Sequence, residues 1–110
     1  MAILTMPSLS PRIILAELSV TPIGSETTSV GKQVSEAIKA IKNIEGLRCE
    51  TNAMGTVLQS EKLETILEAV KVAHEAIFKS GEKRVASVLR IDDRRDKTGT
   101  IESKVRSVTS

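Results

Sequence analysis

The 110-residue sequence predicts an α+β fold in which two helices pack on one face of a four-stranded antiparallel sheet. Four short segments are rich in β-branched and apolar residues, and two longer segments carry apolar residues at helical spacing. They alternate in the order strand, helix, strand, strand, helix, strand, with a short helix expected at the C-terminus. At 110 residues the chain is large enough for one ordinary core, and with 40% hydrophobic residues it is not a disordered chain.

The chain is predicted to begin with a flexible arm over residues 1–11, followed by a single domain over residues 12–110. Pro7 and Pro11 interrupt the apolar part of the arm, and no basic residue precedes it. A secretory signal is therefore not expected.

The first strand is expected over residues 13–21. Its apolar residues alternate with Glu17, Ser19 and Thr21, which gives the strand one apolar face and one partly polar face. Pro22 ends it.

Two amphipathic helices are predicted on either side of a central hairpin. Ser29 is expected to cap the first helix and Ser60 the second, while Gly46 and Gly81 mark their C-terminal ends. The expected apolar faces consist of Val34, Ala37, Ile38, Ile41 and Ile44 in the first helix and of Leu63, Ile66, Leu67, Val70, Ala73, His74 and Ile77 in the second.

The hairpin between the helices is predicted from two short strands over residues 47–51 and 54–59. Their connection is so short that the strands must run antiparallel. The last strand is expected over residues 85–91, followed by a charged turn that begins at Asp92. Apolar residues at near-helical spacing predict the C-terminal helix over residues 101–108.

This element order defines the topology. Each strand-helix-strand half needs a right-handed crossover, which places both helices on the same side of the sheet. The result is a ferredoxin-like βαββαβ sandwich whose other sheet face, including Ile13 and Leu15, is uncovered. Since monomers rarely expose a large apolar patch, we expect the chain to form a homodimer or homotetramer.

Composition excludes several classes of partner. The 16 basic residues are interspersed with 14 acidic ones, and Phe78 is the only aromatic residue, so no nucleic-acid partner is expected. No apolar run is long enough to cross a bilayer, and no membrane partner is expected. Cys49 is the only cysteine, which rules out an internal disulfide and is consistent with a cytoplasmic location.

A series of short motifs spans the chain from Ile13 to Val108. They are Ala16-Glu17, Thr21-Pro22-Ile23-Gly24, Met54-Gly55-Thr56, His74-Glu75, Arg84-Val85 and Ile91-Asp92-Asp93-Arg94-Arg95-Asp96. In this order and spacing they resemble the small thiamine-binding family of YkoF-like ferredoxin-fold proteins. The resemblance implies a non-enzymatic homo-oligomer that requires no cofactor. It would bind thiamine or its hydroxymethylpyrimidine precursor near strand ends, at or close to a subunit interface.

The candidate site residues follow from these strand ends and from the resemblance. The family usually carries a glutamate in the strand after Gly-Thr, where this chain has Gln59. Gln59 keeps a hydrogen-bonding amide without the charge, which favours a neutral pyrimidine-like ligand over cationic thiamine. In the absence of Tyr and Trp, Met54 could supply a sulfur–π contact. The predicted ligand-binding residues are Ser19, Thr21, Met54, Gly55, Thr56 and Gln59, and Glu17, Asp92 and Arg94 are candidates for ligand contact or assembly.

Two alternatives remain open. The polar strand ends could serve only the assembly of a structural or regulatory homo-oligomer, or Asp92, His74 or Glu17 could act as the acid or base of an enzyme. No catalytic residue is predicted, because no spacing forces two candidates together. No metal site is predicted either, since Phe78 stands four residues after His74, where a helical zinc site needs a second histidine.

Overall fold

The computed structural model describes residues 12–25 and 30–109. The predicted arm over residues 1–11 and the predicted cap at Ser29 lie outside the described residues. The elements run in the order β1 (Ile14–Pro22), α1 (Gly31–Ile41), β2 (Arg48–Asn52), β3 (Gly55–Ser60), α2 (Leu63–Lys79), β4 (Val85–Asp93) and α3 (Ile101–Thr109). The strands form one antiparallel sheet in the order β2-β3-β1-β4, which confirms the predicted ferredoxin-like fold.

The core lies between one face of the sheet and the two long helices. In β1 the residues alternate as the sequence predicts, so that Leu18 and Val20 are buried while Glu17 and Thr21 are exposed. Each Val, Leu or Ile side chain fully removed from water in this layer stabilises the fold by about 1.5–3 kcal/mol. The buried core cluster consists of Ile14, Ala16, Leu18, Val20, Ala37, Ile41, Leu58, Ile66, Ala69, Ala73 and Ile77.

The predicted ends of both helices need correction. α1 ends at Ile41, and Ile44 lies in the following turn, where its N–H donates to the Ile41 carbonyl at 3.1 Å. Ser60 does not cap α2, because it is the last residue of β3 and is buried. Its hydroxyl instead accepts from the N–H of Lys62, two residues on, at 3.3 Å.

Two further predictions are wrong, one about the buried face of α2 and one about the end of β4. Leu67, placed on the apolar face of α2 by its spacing, is half exposed, and Ala69 lies in the core instead. β4 continues to Asp93, so Asp92, expected to begin a turn, is a strand residue opposite Leu15. Pairing with the full length of β1 extends the strand beyond its apolar segment.

The second face of the sheet is not wholly uncovered, because α3 packs on part of it. Ile101, the first residue of α3, is only 9% exposed, and its N–H donates to Gln59 Oε1 of β3 at 3.0 Å. Lys104 binds Asp92 of β4 at 2.9 Å. The sequence alone predicts α3 but not its docking, since that depends on side chains from two separate strands. Within residues 12–25 and 30–109, no helix is long and apolar enough to cross a bilayer.

Candidate functional site

A cleft of about 190 Å³ opens between α1 and the end of the sheet where β2 turns into β3. Val34, Ile38 and Ile41 of α1 form one apolar wall, and Leu18 of β1 contributes to the opposite side. The hairpin residues 51–56 complete the lining. The cleft therefore joins the apolar core to a polar strand end.

None of the fourteen described residues that line this cleft is charged. Thr51 and Thr56, which are register partners, provide hydroxyl groups on the helix side of the sheet. Ser19 also borders the cleft, but it follows the buried Leu18 in β1, so its side chain points to the second face. The Thr51 and Thr56 hydroxyl oxygens lie 3.3 Å apart across the β2–β3 pair. Because a hydroxyl both donates and accepts, this pair offers a ligand one donor and one or more acceptors next to an apolar wall.

Strand register decides that Thr56 belongs to this cleft. Thr56 pairs with Leu18 of β1, so both side chains point toward the helices, and Thr56 is only 3% exposed. Residues 57 and 59 of β3 consequently lie on the other face. The alternation of β3 alone leaves both orientations possible, and pairing with β1 selects this one.

The hairpin turn places Met54 and Gly55 at the mouth of the cleft. Met54 follows Ala53 in the turn, its N–H donates to Asn52 Oδ1 at 3.4 Å, and its residue surface is 83% exposed. A Cβ atom on Gly55 would lie 3.1 Å from the Leu18 carbonyl oxygen and 3.4 Å from Glu17 Cγ. Gly55 thus permits the close approach of β1 and β3 at this end of the sheet, which is a structural reason for glycine here.

The structure brings together four of the six predicted ligand-binding residues. Ser19, Met54, Gly55 and Thr56 line the cleft. Thr21 is exposed near the end of β1 and does not line it. Gln59 is also outside the cleft, and its side chain caps α3 on the other face of the sheet.

The three residues proposed for ligand contact or assembly lie elsewhere. Glu17 and Asp92 line a shallower groove of about 330 Å³ on the second sheet face, together with Leu15, Val57, Arg90 and Lys104. Arg94 Nε donates to Asp96 Oδ1 at 2.8 Å, and this ion pair lowers the pKa of Asp96 to about 2. Asp92 and Arg94 are therefore already engaged by charges of the same chain.

His74 joins α2 to β4, as the sequence suggests for a helix–sheet contact. Its Nε2 atom lies 2.7 Å from the Ser87 hydroxyl, and its ring meets Phe78 edge-on at a centroid distance of 6.5 Å. Cys49 packs against the core, and burial raises the pKa of its thiol. In the part of the chain that the structure describes, no cluster of three His, Cys, Asp or Glu side chains could hold a metal ion.

Comparison with known proteins agrees with the motif pattern. A family model described as "Thiamine-binding protein" matches residues 16–109. The chain belongs to this thiamine-binding protein family. A UPF0045 protein of Methanothermobacter thermautotrophicus is 45% identical over 96 residues, which cover 87% of this chain and 96% of that one. Another, YqgV of Bacillus subtilis, is 37% identical over 97 residues, covering 86% of this chain and 92% of the relative.

Solved structures share the fold of this member of the thiamine-binding protein family. A hypothetical protein of Methanocaldococcus jannaschii is 44% identical, with a TM-score of 0.79 over 88% of this chain and 96% of the other. A Bacillus cereus domain of unknown function is 30% identical, with a TM-score of 0.76 over 88% and 90%. The predicted family and fold are confirmed, and the family is named for binding rather than for a reaction.

Proposed function

We propose that the protein binds a thiamine-related small molecule without transforming it, and that neutral hydroxymethylpyrimidine is a better ligand than thiamine. Membership in a family named for thiamine binding supports the ligand class. The preference for the pyrimidine over thiamine rests on the cleft, whose described lining is uncharged and contains the paired hydroxyls of Thr51 and Thr56.

Charge favours the pyrimidine over the complete vitamin. Thiamine carries a cationic thiazolium ring, and no described residue of the cleft lining offers a counter-charge. Removing an unpaired charge from water is costly, whereas a neutral ring needs only hydrogen bonds for its polar atoms. Gln59 cannot serve as a partner for the thiazolium either. Its amide is neutral, it does not line the cleft, and its carbonyl oxygen already accepts from the N–H of Ile101 in α3.

Size favours the same choice. Pockets for drug-sized ligands usually measure about 300–1,000 Å³. The cleft, at about 190 Å³, is better matched to one ring than to two. In the proposed complex the pyrimidine lies against Ile38 and Ile41, its polar edge meets the Thr51–Thr56 pair, and Met54 covers its outer side.

We also propose that the chain self-associates through the second sheet face as a homodimer or homotetramer. Val88 of β4 is 68% exposed there, and the same face carries opposite charges on Glu17 and Arg90, which are register partners. A second copy packed on this face would bury Val88 and could form ion pairs between Glu17 of one subunit and Arg90 of the other. The proposed setting is the cytoplasm, where the lone thiol of Cys49 would stay reduced.

Isothermal titration with hydroxymethylpyrimidine and with thiamine tests the ligand proposal. Thr56→Val keeps the shape and strand propensity of the side chain but removes its hydroxyl. One hydrogen bond contributes about 0.5–1.5 kcal/mol, so we expect the dissociation constant for hydroxymethylpyrimidine to rise about two- to tenfold.

Thr21→Val is the matched control, since Thr21 is also a strand threonine but lies outside the cleft. Its affinity should equal that of the unmodified chain. No heat from either compound would end the ligand proposal. If both threonine variants lose the same amount of affinity for hydroxymethylpyrimidine, the cleft is not the binding site.

A further inference from the structure

The most exposed large hydrophobic side chain of the cleft belongs to Met54, at the tip of the β2–β3 hairpin. Met54 is 83% exposed and yet lines the cleft mouth. Its backbone is held by the bond from its N–H to Asn52 Oδ1 at 3.4 Å, while the side chain projects into solvent. The thioether therefore stands open to reagents in solution and next to the space that a ligand would occupy.

We propose that Met54 is an oxidation site through which peroxide weakens ligand binding in the cleft; this inference rests on the proposed function. In the reaction the sulfur atom takes one oxygen atom from hydrogen peroxide, and the remainder leaves as water. The sulfur loses two electrons and the peroxide gains them. The product, methionine sulfoxide, is returned to the thioether by methionine sulfoxide reductases with a thiol reductant.

The chemistry of the cleft explains why this single oxygen atom matters. A thioether is polarisable and makes favourable contacts with ring faces and edges. The sulfoxide is polar and hydrates strongly, and it would have to give up water to cover a ring beside Ile38 and Ile41. Oxidation is therefore expected to remove the Met54 contact and to leave the Thr51–Thr56 hydrogen bonds in place.

Titration with 4-amino-5-hydroxymethyl-2-methylpyrimidine before and after hydrogen peroxide treatment tests the proposal. A Cys49→Ala background removes the only thiol from the experiment. We expect oxidation to raise the dissociation constant about two- to tenfold, which corresponds to the loss of one sulfur–ring contact. Treatment with reductases A and B and dithiothreitol should restore the original value.

Met54→Leu is the matched control, because leucine fills a similar volume and cannot be oxidised. Met1 and Met6 remain in this variant, so their oxidation is controlled as well. An unchanged dissociation constant after peroxide, with Met54 oxidation verified by mass spectrometry, overturns the inference alone. The inference is also overturned if peroxide raises the dissociation constant of Met54→Leu as much as that of the parent. If the reduced parent binds no pyrimidine, the proposed function fails, and this inference fails with it.

Discussion

The two faces of the sheet are built from the same four strands but differ in their chemistry. The helix-side face ends in a cleft whose described lining is uncharged. The second face carries Arg90, Asp92 and Lys104 around its groove, and α3 is fixed there partly by ion pairs. Alternation along each strand is sufficient to produce this difference, because neighbouring residues point to opposite faces.

The difference separates two tasks within one small domain. An uncharged cleft can hold a neutral ring with a few hydrogen bonds, while an exposed charged face suits reversible contacts between protein surfaces. Ligand binding and assembly should then respond to different substitutions. Gln59, which was predicted to bind the ligand but lies on the second face, already accepts a hydrogen bond from α3.

The largest expected effect of a single substitution on this separation is that of Val88→Asp. In the proposed assembly it places a charge on the exposed β4 part of the second sheet face, and the association constant should fall by on the order of 100-fold, or about 2.7 kcal/mol. Sedimentation equilibrium measures this change. The affinity for hydroxymethylpyrimidine should not change, because Val88 does not line the cleft.

Leu67→Asp provides a control on the helix side of the domain. Leu67 is also an exposed apolar residue, but it lies on α2. Its substitution should leave the association constant near that of the parent. If the parent chain is monomeric at every concentration, the proposed assembly is wrong; if Leu67→Asp dissociates it equally, the second sheet face is not the interface.

Sequence patterns predict the strands and both long helices because these depend on local periodicity, and the right-handed crossover rule then fixes the topology. They also group Met54, Gly55 and Thr56 correctly at one strand end. Alternation along β3 puts Thr56 and Gln59 on opposite faces, but the sequence does not tell which of them faces the helices, since that depends on the long-range register with β1. The capping role of Gln59 is equally hidden, because its partner Ile101 is 42 residues away.

Substitution of Gln59 tests how firmly α3 is held. Gln59→Leu removes the acceptor for the Ile101 N–H, and a lost N-terminal helix contact costs about 0.5–2 kcal/mol. We expect faster hydrogen exchange in α3 and little change in the exchange of core residues such as Leu58. Unchanged protection of α3 would show that the burial of Ile101 and the ion pairs hold the helix without this hydrogen bond.

Gln59→Glu is the complementary variant, since a carboxylate at a helix N-terminus adds about 0.3–1 kcal/mol of favourable charge–dipole energy. Arg48, the register partner of residue 59, would favour the charge further. Both neighbours should lower the pKa of the introduced carboxyl. The added stability should therefore be present above the ordinary Glu pKa of about 4.3 and disappear as the pH falls through the lowered value.

The smallest expected effect concerns the charged segment after β4, where Arg94 holds the pKa of Asp96 at about 2 instead of 3.8. Because the pKa is lowered in the folded state, the contribution of this pair to stability is present above pH 3.8 and is lost as the pH falls toward 2. Arg94→Gln should raise the pKa of Asp96 toward its ordinary value, as measured by NMR titration of the side-chain carboxyl. Arg95→Gln is the control, since Arg95 pairs with Asp93 instead. If the pKa of Asp96 is the same in Arg94→Gln as in the parent, Arg94 does not hold this carboxylate.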